Sequence, residues 1–180
     1  MPTIFTHPAV PLGLAPWLRR TPRSLIAVAA FVSSIPDADV AAFGFGIPYE
    51  HPFGHRGFTH SIVFALLFSA FCAFAYVRLM HNGLKYHHAF LVLFVALLSH
   101  GVLDAMTDGG KGIGFFIPFS NQRFFLPFRP IRVSPIGAED FAAAAGRVLA
   151  SELRWVWAPF VLVGLIGFVV GRYRTMNDER

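Results

Sequence analysis

Residues 55–80 read HRGFTHSIVFALLFSAFCAFAYVRLM and combine a histidine-rich start with a long apolar run. Within this stretch, residues 57–77 contain no Asp, Glu, Lys or Arg. A helix needs about 20 predominantly apolar residues to cross a bilayer core of roughly 30 Å. The run therefore predicts a membrane-spanning helix over residues 58–80.

Further apolar runs follow this segment along the chain. Residues 86–103 and 155–171 are free of charged residues. The second of these runs begins with Trp155 and Trp157, and tryptophans are enriched at membrane interfaces. Both runs predict further spans.

The run at residues 24–36 is shorter than the others. As a helix it would rise only about 20 Å before the chain reaches Asp37, so by itself it falls short of a full crossing. It is either a buried core helix or a span that ends in a polar pocket, with Asp37 and Asp39 below the far membrane surface. We favour the polar pocket.

The composition excludes several classes of protein. The 180 residues are 55% hydrophobic and 14% charged, whereas soluble domains average about 45–50% and about 25%. These values argue against a soluble globule and against disordered, collagen-like and coiled-coil chains. We expect an all-α fold, a polytopic membrane helical bundle with about four hydrophobic helices and a metal pocket at one membrane face. Residues 1–180 would form a single integral-membrane domain, in which residues 107–153 are a long non-spanning segment.

The basic residues and the cysteine content restrict the partners. The net charge of +5 arises from residues scattered between apolar runs, where positive charge marks membrane orientation. The expected partner is therefore the lipid bilayer, and no nucleic acid is expected. The lone Cys72 permits neither an internal disulfide nor a thiolate cluster, so a metal site would be built from His, Asp and Glu.

Ionisable side chains gather at the ends of three apolar runs. Such side chains are costly in or beside a membrane span, and by default they mark function. Consecutive antiparallel helices would place these three ends on one side of the membrane, so we expect the motifs to converge in space. The motif residues are Asp37 and Asp39 after the first run, His55 and His60 at the start of the second, and His100 and Asp104 at the end of the third.

The spacing within two of the motifs suits ligation of an ion. His100 and Asp104 are four residues apart, so on a helix they lie on one face. Asp37 and Asp39 follow Pro36, so in an extended segment both carboxylates would point the same way.

His55 and His60 are five residues apart, which does not match one helical face. We expect His55 in a loop held by Gly54 and Gly57. His60 would then lie in the first helical turn, with Thr59 near the helix cap.

Each motif also has a purely structural interpretation. The aspartates after the first run could cap a helix at the interface, and either histidine of the second motif could make interfacial hydrogen bonds. His100 and Asp104 could form a hydrogen-bonded pair, although an unpaired carboxylate in an apolar run is strongly unfavourable. Asp108 continues the helical face of Asp104 and is a reserve ligand, but Gly109 and Gly110 indicate that the helix is ending.

The ordered motifs resemble those of a known family. They are Thr6-His7, PDAD at residues 36–39, HRGFTHS at 55–61, HGVLD at 100–104, and Thr107 followed by PFS at 118–120. They resemble the LexA-binding, inner-membrane-associated hydrolases, also described as membrane-bound metal-dependent hydrolases. The resemblance covers residues 6–123, and HRGFTHS is its most specific block.

This resemblance implies a multi-pass helical protein of the bacterial inner membrane whose His and Asp residues bind metal. It adds His7, which the residues alone leave open because it only precedes a proline-interrupted stretch at residues 8–17. More distantly, the order of His and Asp is similar to zinc-dependent phospholipase C, an all-helical phosphoesterase with an HxxxD pair that His100 and Asp104 would fill. The later His and Glu ligands of that enzyme have no clear counterpart here.

Two classes of function agree with these residues. The first is a membrane-bound metal-dependent hydrolase that acts on a phosphoester of a lipid or a lipid-linked substrate, with one or two divalent ions, zinc or manganese. Arg56 would clamp the phosphate or serve as an interfacial anchor. Asp39 would be a ligand or the general base. The expected metal ligands are His7, Asp37, Asp39, His55, His60, His100 and Asp104.

The alternative is a non-enzymatic membrane metal-binding protein, either a transporter or an adaptor that docks a protein partner. Transporters commonly carry polar residues at the membrane midplane or use repeated halves. Here the ionisable residues gather on one side and no internal repeat is visible, which favours a site that opens to one face. The sequence contains no recognisable docking motif and does not identify a protein partner.

Overall fold

The computed structural model describes residues 1–81 and 83–178, and its regular elements are helices. The α-helices are α1 Ala9–Leu14, α2 Arg23–Val32, α3 Ile62–Met80, α4 Tyr86–Ala105, α5 Ala138–Glu152 and α6 Ala158–Asp178. The 3₁₀ helices are Ala15–Trp17, Ile35–Phe45 and Phe58–His60, and a π-helical turn, Leu153–Trp157, joins α5 to α6. The predicted all-α class is confirmed.

Within the described part of the chain, four segments are long and apolar enough to cross a membrane. They are Arg23–Phe45, Ile62–Met80, Tyr86–Ala105 and Ala138–Asn177. The expected number of hydrophobic helices is therefore confirmed, and the predicted runs at residues 58–80, 86–103 and 155–171 fall within or largely overlap these segments.

The first span combines two kinds of helix. The ten residues of α2 rise about 15 Å, and the eleven residues of the following 3₁₀ helix rise about 22 Å. Together these lengths exceed the roughly 30 Å of a bilayer core. Residues 24–36 are too short by themselves, and the favoured interpretation, in which the span includes Asp37 and Asp39, agrees with this candidate span. Asp37 and Asp39 lie within this candidate span.

Small side chains form the interface between α2, α3 and α4. Alanines are enriched where membrane helices approach each other closely, because they leave room for the neighbouring backbone. The large apolar side chains of α3, such as Leu67 and Phe71, are exposed instead and are available to lipid. The buried alanines of this interface are Ala29 on α2, Ala65 and Ala73 on α3, and Ala89 and Ala96 on α4.

The short helix α1 packs against α6 at a pair of glycines. A Cβ atom added to Gly13 would lie 2.5 Å from the backbone oxygen of Phe160, and one added to Gly164 would lie 3.4 Å from the backbone oxygen of Gly13. The crossing therefore requires a residue without a side chain at Gly13. This contact fixes α1, which begins two residues after His7.

Residues 106–137 connect α4 to α5 without an α-helix. They cover the start of α3, because the Ile62 amide donates to the Phe115 carbonyl (3.0 Å) and the Gly114 amide donates to the Arg56 carbonyl (2.9 Å). The chain then continues through α5 and the π-helical turn into α6. That residues 107–153 stay outside the bilayer, and that residues 1–180 form one domain, remain predictions.

Candidate metal centre

Four side chains from three parts of the chain meet at one end of α4. Asp37 comes from the 3₁₀ helix after α2, His60 from the turn before α3, and His100 and Asp104 from the last turns of α4. All four are buried, with exposed fractions of 5% or less. Each offers one ligand atom, and these atoms all lie within 4.8 Å of one another. The structure thus brings the three motifs together.

The two imidazoles of this group face each other through their Nε2 atoms, which lie 2.9 Å apart. The Asp37 Oδ1 atom is 3.4 Å from Nε2 of His100 and 3.6 Å from Nε2 of His60. The Asp104 Oδ2 atom is 3.3 Å from Nε2 of His60. Two nitrogens and two carboxylates therefore point at a common centre.

The outer hydrogen bonds decide which nitrogen of each ring carries the proton. The His100 Nδ1 atom lies 2.8 Å from the Ser33 carbonyl oxygen, which can only accept, so His100 donates from Nδ1. The His60 Nδ1 atom lies 3.2 Å from the Asp39 carboxylate, so a neutral His60 also donates from Nδ1. Both Nε2 lone pairs then face each other, which requires a shared cation, either a proton or a metal ion.

The carboxylates distinguish between these two cations. Among the residues that the structure describes, both carboxylate oxygens of Asp37 and of Asp104 lack a hydrogen-bond donor. A single proton between the imidazoles would leave these four oxygens without a hydrogen bond, with only the ion pair between Arg56 Nε and Asp104 Oδ2 at 3.3 Å, whereas a metal ion accepts several of them at once. The donor set therefore fits a metal ion better than a proton.

The pocket carries an excess of negative charge. Asp37, Asp39 and Asp104 contribute three negative charges, and Arg56 and the buried N-terminal ammonium of Met1 oppose them, so the pocket stays negative when the histidines are neutral. Buried charges need compensation. Burial lowers the pKa of the His60 imidazole, but the carboxylates around it outweigh burial and raise that pKa well above its usual value. The site therefore stabilises positive charge strongly.

His7 lies against the same group, although it comes from the beginning of the chain. Its ring stacks on the His100 ring with centroids 3.7 Å apart. Its Nε2 atom is 3.4 Å from Asp37 Oδ2 and 3.8 Å from Asp104 Oδ1. Neither ring nitrogen has a hydrogen-bond partner within the described part of the chain. His7 therefore lies beside the group, although it is not one of the four side chains whose ligand atoms all lie within 4.8 Å of one another.

Asp39 points away from Asp37, contrary to the expectation that both carboxylates would share a direction. That expectation assumed an extended segment, but the two residues lie in a 3₁₀ helix. With three residues per turn, positions two apart point about 120° away from each other. The Asp39 carboxylate instead accepts hydrogen bonds from His55 Nδ1 (2.6 Å) and the Thr59 hydroxyl (2.6 Å).

Asp39, His55 and His60 form a second group of ligand-type side chains. His60 belongs to both groups, with Nε2 towards the first and Nδ1 towards Asp39. Metal-binding histidines almost always donate their other N–H group to a carboxylate, a carbonyl or water. This arrangement favours one ion in the first group, with Asp39 as the carboxylate that orients His60.

Asp39→Asn tests this orienting role. The amide keeps the volume of the carboxylate but accepts hydrogen bonds less well, so we expect zinc affinity to fall about 10- to 100-fold while binding remains measurable. Competition with a chromogenic chelator measures the change. A variant with no detectable zinc would instead make Asp39 a direct ligand, and an unchanged affinity would exclude both roles.

The start of α3 also differs from the sequence-based expectation. His60 lies in the 3₁₀ helix before α3 and not in the first turn of α3. The cap is Ser61, whose hydroxyl accepts a hydrogen bond from the Phe64 amide (3.0 Å), and not Thr59. Ser61 is the better cap because its backbone is extended, as an N-cap residue requires.

The loop that carries His55 has the predicted glycine contacts. A Cβ atom added to Gly54 would lie 2.2 Å from the Pro48 carbonyl oxygen, and one added to Gly57 would lie 2.2 Å from the Pro52 carbonyl oxygen. The loop expected around His55 is confirmed. Its residue Arg56 adopts a left-handed backbone conformation with φ of 62°, which is uncommon for a side chain of this size.

Arg56 is fully buried behind Asp104. Its guanidinium donates to the Gly109 carbonyl and the Thr107 hydroxyl, both at 3.0 Å, and its Nε atom is 3.3 Å from Asp104 Oδ2. These contacts favour a role in holding Asp104. The predicted phosphate clamp requires that the loop at residues 107–109 first moves away.

Asp108, the reserve ligand, lies outside the group. Its carboxylate accepts hydrogen bonds from Arg132 Nη1 (2.7 Å) and from the Val133 amide (2.8 Å). It therefore stabilises the connection between α4 and α5 and provides a matched control for Asp104.

These features define a multi-pass helical membrane protein with a buried His and Asp cluster at one end of its bundle. The chain belongs to the YdjM inner membrane protein family, whose model matches residues 1–176. It is 44% identical over 170 residues to inner membrane protein YbcI of Escherichia coli (strain K12). The aligned region covers 92% of this chain and 97% of that relative. No solved structure matches the chain significantly. The predicted inner-membrane, multi-pass localisation is confirmed. Hydrolysis and the resemblances to the LexA-binding hydrolases and to phospholipase C remain predictions.

Proposed function

We propose that this inner membrane protein binds one divalent transition-metal ion between Asp37, His60, His100 and Asp104, with His7 as a further donor. The observation that carries this proposal is the convergence of two imidazole nitrogens and two carboxylates that lack other donors among the described residues. Imidazole and carboxylate together suit zinc or manganese.

The chemistry of the donors supports a catalytic use of the ion. Structural zinc sites are usually rich in cysteine, whereas catalytic sites commonly use histidine and carboxylate. We therefore propose a metal-dependent hydrolase. A bound ion would polarise a phosphoester and lower the pKa of water. In this chain Asp39 would orient His60, and Arg56 would hold Asp104 or, after loop movement, contact the phosphate.

Exposed aromatic side chains support a lipid or lipid-linked phosphoester as the substrate. Phe45 ends the 3₁₀ helix that carries Asp37, Phe53 precedes the His55 loop, and Phe119 lies in the covering segment. These three rings are 84%, 62% and 85% exposed. Large apolar rings exposed on the elements that build a site suit contact with lipid beside that site.

The burial of the cluster sets a condition on catalysis. Residues 106–131 pack on the His55 loop and on the end of α4, and the ligand side chains are almost fully enclosed. A substrate would reach the ion only if this segment opened. The same enclosure supports the second candidate function, a non-enzymatic metal-binding adaptor whose ion stabilises the fold or a docking surface.

An assay on protein purified in detergent separates the two candidates. Phospholipids and lipid-linked phosphates are offered with added zinc or manganese to the wild type, to Asp104→Asn and to the control Asp108→Asn. The hydrolase proposal predicts cleavage by the wild type and Asp108→Asn but not by Asp104→Asn. A wild type that keeps its ion and cleaves none of them would make the adaptor the better assignment.

A further inference from the structure

Glu152 is a buried carboxylate that the sequence analysis did not single out. It is the last residue of α5, within the fourth candidate span, and only 1% of it is exposed. Its Oε2 atom accepts hydrogen bonds from the hydroxyls of Thr3 (2.7 Å) and Thr6 (2.6 Å), and its Oε1 atom accepts one from the Thr3 amide. A carboxylate is tolerated at such a place only where donors satisfy it. Here these donors all come from one short segment at residues 3–6.

A π-helical turn after Glu152 places a second side chain, Trp157, against the segment at residues 3–6. In an α-helix, residues five apart are separated by about 140° around the axis. The turn Leu153–Trp157 is π-helical, with hydrogen bonds between residues five apart, which brings Glu152 and Trp157 towards one side. The Trp157 indole then donates to the Thr6 hydroxyl (3.3 Å), while that hydroxyl donates to Glu152.

Thr6 directly precedes His7, the donor that stacks on His100. Neither ring nitrogen of His7 is bonded to the described protein, so the position of the ring depends on its stacking on His100 and on the backbone on both sides of it. On one side, Ala9 and Val10 of α1 pack with Leu103 and Val156. On the other side, Glu152 holds Thr3 and Thr6.

We infer that Glu152 is a positioning residue, which holds His7 in the metal site through its hydrogen bonds to Thr3 and Thr6. Both of its carboxylate oxygens are occupied by these bonds, so it acts through the segment and not as a ligand. The inference rests on the proposed metal binding. It links α5 and the π-helical turn, which carry no metal ligand, to the geometry of the site.

The test compares Glu152→Gln with Glu139→Gln, a matched change at an exposed residue of the same helix. Zinc affinity of the full chain in detergent is measured by competition with a chromogenic chelator. We expect Glu152→Gln to weaken binding about 10-fold, the low end of the range for losing a hydrogen-bond partner of a ligand, because Glu152 reaches His7 only through Thr6. We expect Glu139→Gln to have no effect. In a His7→Ala background, Glu152→Gln should cause no further loss, because the two residues act on one interaction.

A second readout does not require metal. Hydrogen exchange of the peptide covering residues 1–14 in the metal-free protein should accelerate in Glu152→Gln and in the isosteric Thr6→Val, while exchange in α3 and α4 stays unchanged. Faster exchange across the whole protein, or an equal loss of affinity with and without His7, would assign Glu152 a general structural role and overturn the inference. If the wild type and Glu152→Gln bind zinc equally well, this inference fails and the proposed function stands. If the wild type binds no zinc, both the inference and the proposed function fail.

Discussion

Asp104→Asn should lower the zinc affinity of the purified protein more than about 100-fold, beyond the range seen when an outer hydrogen-bond partner of a ligand is lost. Asparagine keeps the volume of the side chain but removes the negative charge. Both carboxylate oxygens of Asp104 face the donors of the cluster, at 3.3 Å from His60 Nε2 and 3.8 Å from His7 Nε2. Chelator competition on protein in detergent measures the change.

Asp108→Asn is the matched control for this substitution. Asp108 lies four residues further along the chain, and its carboxylate contacts Arg132 and the Val133 amide instead of the cluster. Its zinc affinity should equal that of the wild type. A purely structural role for Asp104 predicts the reverse pattern, with zinc binding unchanged and a loss of stability of about 1–3 kcal/mol or less.

Arg56→Met should lower the free energy of unfolding by about 3 kcal/mol, the low end of the range for breaking a buried ion pair, because it removes one of the two positive charges beside the Asp104 carboxylate, the other being the Met1 ammonium. Arg56 is fully buried and its Nε atom lies 3.3 Å from Asp104 Oδ2. Adding Asp104→Asn should recover part of this loss, since the unpaired charge is then gone. Unfolding of the metal-free protein in detergent, followed by circular dichroism, measures both effects.

Arg123→Met provides the comparison for Arg56. The Arg123 guanidinium donates to backbone carbonyls, including those of His55 and Tyr49, and no described carboxylate is bonded to it. Its loss should therefore destabilise the protein without any recovery from Asp104→Asn. Equal recovery in both backgrounds would show that Arg56 and Asp104 are not specifically coupled.

The spans and the meeting of the motifs could be predicted because both depend on the spacing of charges along the chain. Residues 57–77 carry no Asp, Glu, Lys or Arg, so a span there is required by length alone. Once α3 and α4 are consecutive antiparallel helices, the start of one and the end of the other must be neighbours. This places His60 beside His100.

The direction of Asp39 could not be predicted in the same way. A proline followed by two nearby aspartates suits an extended segment as well as a 3₁₀ helix, and the two differ by about 120° in where the second carboxylate points relative to the first. Packing of residues 35–45 beside the His55 loop decides between them. The hydrogen bonds of Asp39 to His55 and Thr59 then give it an outer position.

The role of Glu152 could not be predicted from local sequence patterns. It precedes the predicted run at residues 155–171 by three positions, so it fell in the segment expected not to span. Its partners Thr3 and Thr6 lie 149 and 146 residues away in the sequence. The packing of α1 on α6 through Gly13 and Gly164, together with that of Ala9 and Val10 on Leu103 and Val156, brings them together. The rule that a carboxylate near an apolar run marks a site would nevertheless have flagged Glu152.

The ratio of metal to protein in the wild type tests the central claim most directly. The chain is purified in detergent without chelators, supplied with zinc, passed through a desalting column and analysed by elemental mass spectrometry. One centre formed by Asp37, His60, His100 and Asp104 predicts about one tightly held divalent ion per chain. A ratio near two would contradict the single-ion centre, and a ratio near zero would contradict metal binding altogether.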